Sequence, residues 1–435
     1  MSAAPSSPSA TSTQTPPPQA PVYDITLRVF LSFVAGYFLS YALRSVNASI
    51  APLLEADLNL GPGSLGWLSS AYFLSFASVQ WFLGTWLDKY GSRRTEASLL
   101  LTAAAGSMIM ALSDTLFGLS IGRILIGLGV ASCLMAPYSY YRRCYAPSKQ
   151  PQLAMWMLIG GTLGALASTK PALLLAESVG WRDIFVLTAV LLAIAAVAIF
   201  LLVPDHDLQV NAHEASIKQG SGPTKGMRLF ELLRHPVMLR ILPTTVFFSG
   251  GFVALQSLWV GPWLTTVLDF SPNEAGQALL YFNAALLGAY LLMSIVSPKL
   301  EKLGFTLARQ TTTGFYWFIG CMVLVLAWEA HAAWWAWIAL APGIPAVILI
   351  QTQTALMFPK AIAGRVLTTF NLVMFSGAFF VQWGIGLLAD FFALLGSTPA
   401  RALWLAFAVL LVMQVLSLWW FMSRKLPLSA QTNHG

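Results

Sequence analysis

Tyr37, Tyr41, Arg44 and Asn47 follow one another at intervals of four, three and three residues. That spacing sets them along one face of a helix whose other positions are mostly apolar. The chemistry of such a stripe is recognition. A guanidinium is a rigid fork of donors that grips a carboxylate or a phosphate through two hydrogen bonds. Phenols and an amide beside it would orient what it holds.

Two further cations, Arg123 and Lys170, also lie in apolar surroundings. At about 1.5 Å of rise per residue, and with the spans assigned below, Arg44, Arg123 and Lys170 all fall in the outer third of a bilayer. Charge at that depth is costly and marks function by default. Tyr72, Ser75 and Gln80 add polar groups on a second span, and Gln256, Trp259, Tyr281, Asn283, Gln351, Gln353, Asn371 and Gln382 do so in the second half of the chain. The candidate solute-binding residues are therefore Arg44, Arg123, Lys170, Tyr37, Tyr41, Asn47, Tyr72, Gln256, Asn283, Asn371 and Gln382. They would form a cavity that is basic on one wall and amide-rich on the other. Asp57, Asp114, Asp183, Asp269, Glu329 and Asp390 fall in loops or near outer helix ends, and no Asp or Glu is expected mid-span. A cationic site without internal acids points to an organic anion and weakens coupling through a buried carboxylate. Exchange, uniport or a proton carried with the solute stay open. Plainer roles stand beside these. Lys170 could snorkel to outer headgroups, and Tyr37 and Tyr41 could simply pack.

These residues need elements to hold them. The 435-residue chain is 57% hydrophobic and 9% charged, far from the balance of a soluble globule. Its apolar runs are mostly about 20 residues long and do not alternate, so they predict membrane-crossing helices and not barrel strands. Twelve can be drawn, at 27–47, 65–87, 98–115, 117–138, 153–176, 183–203, 239–263, 276–297, 306–328, 333–357, 364–390 and 400–422. Trp67, Trp86, Trp181, Trp263 and Trp328 lie near span ends, the depth an amphipathic ring prefers. The net charge of +7 follows topology. With the N-terminus inside, Lys and Arg crowd the inner loops, and only Arg182 and Arg401 lie outside. Both termini are thus expected in the cytoplasm, and the basic balance does not imply nucleic acid.

The domain plan follows. Residues 1–22 are a Pro/Ser/Thr/Ala tail without a signal peptide's pattern, 23–203 a first six-helix bundle, 204–236 a polar cytoplasmic linker, 237–423 a second bundle and 424–435 a tail. The linker's end, MRLFELLRH, could lie on the inner surface as an amphipathic helix. Cys133, Cys144 and Cys321 are expected to form no disulfide. The halves look related, because Asp88-Lys89-Tyr90-Gly91 and Glu301-Lys302-Leu303-Gly304 occupy equivalent places 213 residues apart, and the same offset joins Gly164 to Gly377. Paired membrane bundles of this kind suit alternating access.

The stretch GTWLDKYGSRR, residues 84–94, resembles the signature between helices two and three of the major facilitator superfamily. RILIGLG at 123–129 is similar to that family's helix-four motif, and GWRDIF at 180–185 to its start of helix six. The resemblance covers about residues 25–423, and RSVNASIAP and LQSLWVGPWL look like a bacterial subgroup of general transporters. It implies an all-α integral membrane protein of two six-helix bundles, most simply a monomer, whose helices one and four line a central cavity flanked by helix five. It also implies a secondary carrier, and gives Arg123 a structural or coupling role as an alternative to binding. Gly84, Asp88, Gly91, Arg93 and Arg94 would form a latch between the bundles, Gly84 admitting a neighbouring helix and Asp88 pairing with the facing bundle. The helix-five segment GGTLG departs from the Gly-Pro-rich pattern of many drug antiporters in the family.

The leading expectation is a carrier of a small organic anion, carboxylate or phosphate, across the inner membrane, with a proton as a conceivable coupling ion. Efflux of amphipathic or cationic compounds is the alternative, and a receptor without flux a third. There is no GxGxxG or Walker loop, no HExxH helix and no Cys/His pairing, so neither an enzyme, a metal, a cofactor nor ATP-driven pumping is expected.

Overall fold

The computed structural model describes residues 26–146, 149–208, 229–358 and 362–424. The tails and most of the linker, including the start of MRLFELLRH, lie outside the described residues; of that segment, Leu229–Leu233 is a short helix. The described chain is all-helical. Its elements are α1 (Leu27–Leu58), α2 (Pro62–Leu112), α3 (Leu116–Cys144), α4 (Gln150–Ala167), α5 (Lys170–Val179), α6 (Trp181–Leu202), α7 (Leu229–Leu233), α8 (Pro236–Val267), α9 (Pro272–Lys302), α10 (Leu307–Ala327), α11 (His331–Leu356), α12 (Ala363–Leu394) and α13 (Pro399–Ser423).

Among the described residues, ten helices are long and apolar enough to cross a membrane, and the bent pair α4–α5, which turns by 43°, makes an eleventh span. Helix α2 is exceptional. Its 51 residues would reach about 77 Å at 1.5 Å each, more than twice a hydrocarbon core. It is broken at Gly91, whose φ of 76° and ψ of 168° belong to a region that only glycine enters freely.

Local sequence explains where the helices begin. Proline opens α2, α8, α9 and α13, where its missing N–H costs nothing. Ser271 and Glu274 close a capping box on α9, and Thr306 and Thr398 cap α10 and α13. The outward faces are apolar. On α6, Leu187, Val190, Ile194, Val197 and Leu201 are all exposed, as a bilayer requires and water would punish.

The interior forms two main clusters. One is drawn from Val29 to Val203 with Val253, Phe375, Ala378 and Phe379 added; the other runs from Leu232 to Phe421 with Ala48, Ala51 and Leu65. The internal repeat has structural counterparts. Gly304 takes a φ of 83°, close to the 76° of Gly91. Gly164 lies against the backbone of Phe38 on α1, and Gly377 against Val246 on α8, so each permits close approach to the first long helix of its own half. Trp263, near the end of α8, is buried against Phe407 with ring centroids 4.6 Å apart.

Contacts between the halves gather at one end, the end with the turns at 59–61, 268–271 and 395–398. There the Gly63 N–H donates to Asp390 Oδ2 (3.0 Å), the Lys170 ammonium donates to Gln277 Oε1 (2.8 Å), and Trp67 meets Trp383 edge to face. Gly261 lies against the backbone of Ala48 and Gly66 against the carbonyl of Gln382. Near the level of Phe76 and Phe375 the rings still touch, at 4.4 Å.

Candidate functional site

Helix α1 carries the centre of the site. Tyr37 is buried and meets Tyr41 edge to face at 4.8 Å. The guanidinium of Arg44, one turn on, lies 3.8 Å over the Tyr41 ring. Tyr72 of α2 is buried, lies beside Ser40 and is within electrostatic reach of Arg44. Two tyrosines absent from the sequence expectation complete the surround. Tyr138 of α3 lies near Tyr41, and Tyr290 of α9 lies near both Tyr41 and Arg44. Tyr290 brings in the second half of the molecule. Its signal was legible, since it stands seven residues after Asn283 and so shares that residue's face of α9. Arg44 is half-buried and has no ion-pair partner among the described residues. An aromatic cage holding one unneutralised guanidinium has the chemistry to bind an anion while covering an apolar portion of it.

The other two cations have different hydrogen-bond partners, although Arg123 shares with Arg44 an approach to Tyr72. Arg123 is 1% exposed inside the first half; its Nη1 donates to the Leu43 carbonyl (2.9 Å) and the guanidinium lies 5.4 Å from the Phe185 ring centre, while Nε and Nη2 have no partner. Lys170 is occupied by Gln277 across the halves. Of the three expected cations, Arg44 and Arg123 both approach Tyr72, while Lys170 is engaged by Gln277. Asn47 is buried with its Nδ2 donating to Ser69 Oγ (2.6 Å), at the α1–α2 interface.

The second half supplies amides. Gln256 Nε2 donates to Asn283 Oδ1 (2.9 Å), and Asn283 Nδ2 to the Leu279 carbonyl. Gln382 is fully buried; its Oε1 accepts from Ser257 Oγ (2.9 Å), its carbonyl accepts from Trp259 Nε1 (2.9 Å), and its Nε2 is unpartnered. Asn371 Oδ1 accepts from Gln351 Nε2 (3.0 Å). Gln353 instead donates to Leu307 and Thr311, tying α11 to α10. Gln256, Ser257 and Trp259 lie where α8 widens to π geometry over Leu255–Trp259. Such widened turns recur at functional sites. Tyr281 is 48% exposed and so turns outward, away from this network.

The residues from 84 to 94 serve the same half. Asp88 pairs with Arg143 of α3 (2.5 Å), whose Nη1 also donates to the Leu87 carbonyl. Arg93 pairs with Asp205 just after α6, Arg94 lies 3.6 Å from the same carboxylate, and the Ser92 N–H donates to Asp207 Oδ2 (2.7 Å). Asp205, Asp207 and Arg143 were missed as partners, although the acids stand out directly after an apolar run. A Cβ on Gly91 would lie 2.9 Å from Leu208, so this turn is packed as well as bent. Gly84 has nothing within 4 Å of where a Cβ would stand, so the expectation of a helix pressed against it fails here.

One omission is larger. The spans drawn from sequence left Glu96 between helices, and no acid was expected inside one. The Gly91 turn is so tight that helix resumes at once, which places Glu96 inside α2. It is 0% exposed and neither carboxylate oxygen has a partner.

The profile of the Major Facilitator Superfamily matches residues 33–382. The chain is 31% identical over 179 residues to the putative uncharacterized transporter YgaY of Escherichia coli K12, covering 41% of this chain and 44% of that one, so it spans less than half the length of this relative. It is 21% identical over 394 residues to the hexuronate transporter of Bacillus subtilis, covering 83% and 92% of the two chains. In fold it is similar to a bacterial homologue of the human lysosomal transporter Spinster, with a TM-score of 0.71 at 16% identity over 91% of this chain and 96% of that one.

Proposed function

This chain belongs to the major facilitator superfamily, a family of transporters and not of enzymes, and from that premise we propose that it carries a small organic anion across the inner membrane by alternating access. The observation that carries the reading is Arg44: a half-buried guanidinium, ringed by Tyr37, Tyr41, Tyr72 and Tyr290, with no acid to neutralise it among the described residues. Holding that charge in an apolar bundle is costly unless a counter-charge arrives. A solute carboxylate or phosphate supplies it, and the amides Gln256, Asn283, Asn371 and Gln382 on the facing side would take its hydroxyl or carbonyl groups. The hexuronate transporter of Bacillus subtilis suggests the first probe, a sugar acid.

In this reading α2 is two spans divided at Gly91, which with the bent pair makes twelve. Both termini lie in the cytoplasm, so the closed end bearing Gly63, Lys170 and Asp390 faces outward. Lys170 then acts as a gate bar, and Asp88, Gly91, Arg93 and Arg94 brace the inner turn on which a latch would form. The carrier works as a monomer.

The test is binding. Purified protein in nanodiscs is titrated with glucuronate, its neutral analogue glucose and a lipophilic cation, beside Arg44→Ala. Stabilisation by glucuronate alone, lost in the variant, is the expected result. Stabilisation by the cation, indifferent to the variant, would replace this reading with efflux of amphipathic compounds.

A further inference from the structure

Glu96 is used by nothing described so far, yet it is a fully buried carboxyl with neither oxygen partnered. A carboxylate in an apolar interior without donors loses its hydration and receives no compensation; the group then exists as the neutral acid. Its surroundings offer no donor of charge. From α3 the titratable groups near it are the Cys133 thiol and the Tyr141 phenol. From α1 it meets Gly36, where a Cβ would lie 3.0 Å from Glu96 Oε1. On its own helix, Arg93 and Arg94 are engaged by Asp205. The charged residues of α6, Arg182 and Asp183, stand at that helix's far end, and Arg182 is paired with Asp57 and Asp114. Hence no cation reaches Glu96 among the described residues.

The cover over the carboxyl is what gives this placement a use. Gly36 closes on Glu96, and the very next residue, Tyr37, faces the Arg44 site. Alpha-helix geometry makes those two faces move as one body. A displacement of α1 that opens the site therefore also lifts Gly36 from Glu96, admits water and lets the acid ionise. The same helix touches the second half at Gly261, where the two backbones are in contact, so movement between the halves is transmitted to it.

We propose that Glu96 is a proton-binding site, loaded in the present arrangement and emptied when α1 moves away. The step is a simple dissociation: the O–H bond breaks, the proton passes to water, and the carboxylate keeps the electron pair. The inference does not depend on what the carrier transports.

Infrared spectroscopy of the full-length protein in nanodiscs reads the proton directly. The wild type should show the carbonyl stretch of a neutral carboxylic acid at neutral pH, at the high frequency of an acid without hydrogen-bond partners, and Glu96→Gln should lose it. Gln is a neutral isostere, so the variant should fold with unchanged thermal stability. Gly36→Ala presses on the cover and should shift the pH at which the band disappears. If Glu96→Gln leaves the spectrum unchanged, Glu96 holds no proton and the proposal falls. If the band is present but titrates identically in Gly36→Ala, its tie to α1 is overturned.

Discussion

At the scale of single residues, Arg44 is where the proposed anion carrier and the efflux alternative predict different results. Arg44→Ala should weaken glucuronate binding by roughly 10- to 100-fold, since a hydrogen bond to a charged group contributes about 1.5–3 kcal/mol. Arg44→Lys should recover only part of this, because an ammonium lacks the planar fork. Isothermal titration measures both, and equal affinity in all three proteins would remove Arg44 from the site. Gln382 is a second sensitive position. Its unpartnered Nε2 is a buried donor, and such groups are uncommon without a purpose. Gln382→Glu should lower affinity for an anion further than Gln382→Met, by placing an acceptor and a like charge where a donor was. Counterflow in proteoliposomes would show the order.

Among the elements, the Gly91 turn and the start of α8 carry specific costs. Gly91→Ala forces a side chain into a region almost reserved for glycine, at about 1–3 kcal/mol, and drives its Cβ toward Leu208. The variant should melt at lower temperature, whereas Gly84→Ala, with open space around it, should not. His235 caps α8 by accepting from the Val237 N–H through Nδ1, and burial holds its pKa below 6.5. The sign follows: the native state keeps this imidazole neutral while the unfolded chain protonates it. Stability is therefore full above about 6.5 and is lost as pH falls from there toward the lowered native value. His235→Asn keeps a cap without titrating, and its melting temperature should fall less on acidification.

For the whole molecule, the question is what holds one end shut. The Asp390 carboxylate caps the N-terminus of α2 from the other half, where the helix dipole favours an anion, and Lys170–Gln277 forms a second bar. Asp390→Ala with Lys170→Met should lengthen and broaden spin-label distances between α2 and α12 at that end. Labels at the Gly91 end should report the opposite change if the halves rock as bodies. Distances unmoved at both ends would mean that the packing of Trp67 on Trp383, and not these polar bonds, keeps the end closed.

Sequence by itself determined that the chain is all-helical and crosses a membrane repeatedly, its family, and the polar spacing on α1. Hydrophobic length and helical periodicity are local properties, and a motif such as GTWLDKYGSRR is read in one segment. It also located the repeat, whose glycines at 91 and 304 both take a positive φ. Tertiary structure decided which polar groups meet. Lys170 reads as a ligand until Gln277, 107 residues away, is found beside it. Arg123 reads as one more polar group on its span, and only the fold shows that its partners are the Leu43 carbonyl of α1 and the Phe185 ring. Glu96 reads as a loop acid, because hydropathy ends at the charges of the turn while the helix does not. Depth along one helix follows from counting residues, but the direction a side chain faces, and what waits there, is set by how the other helices pack around it.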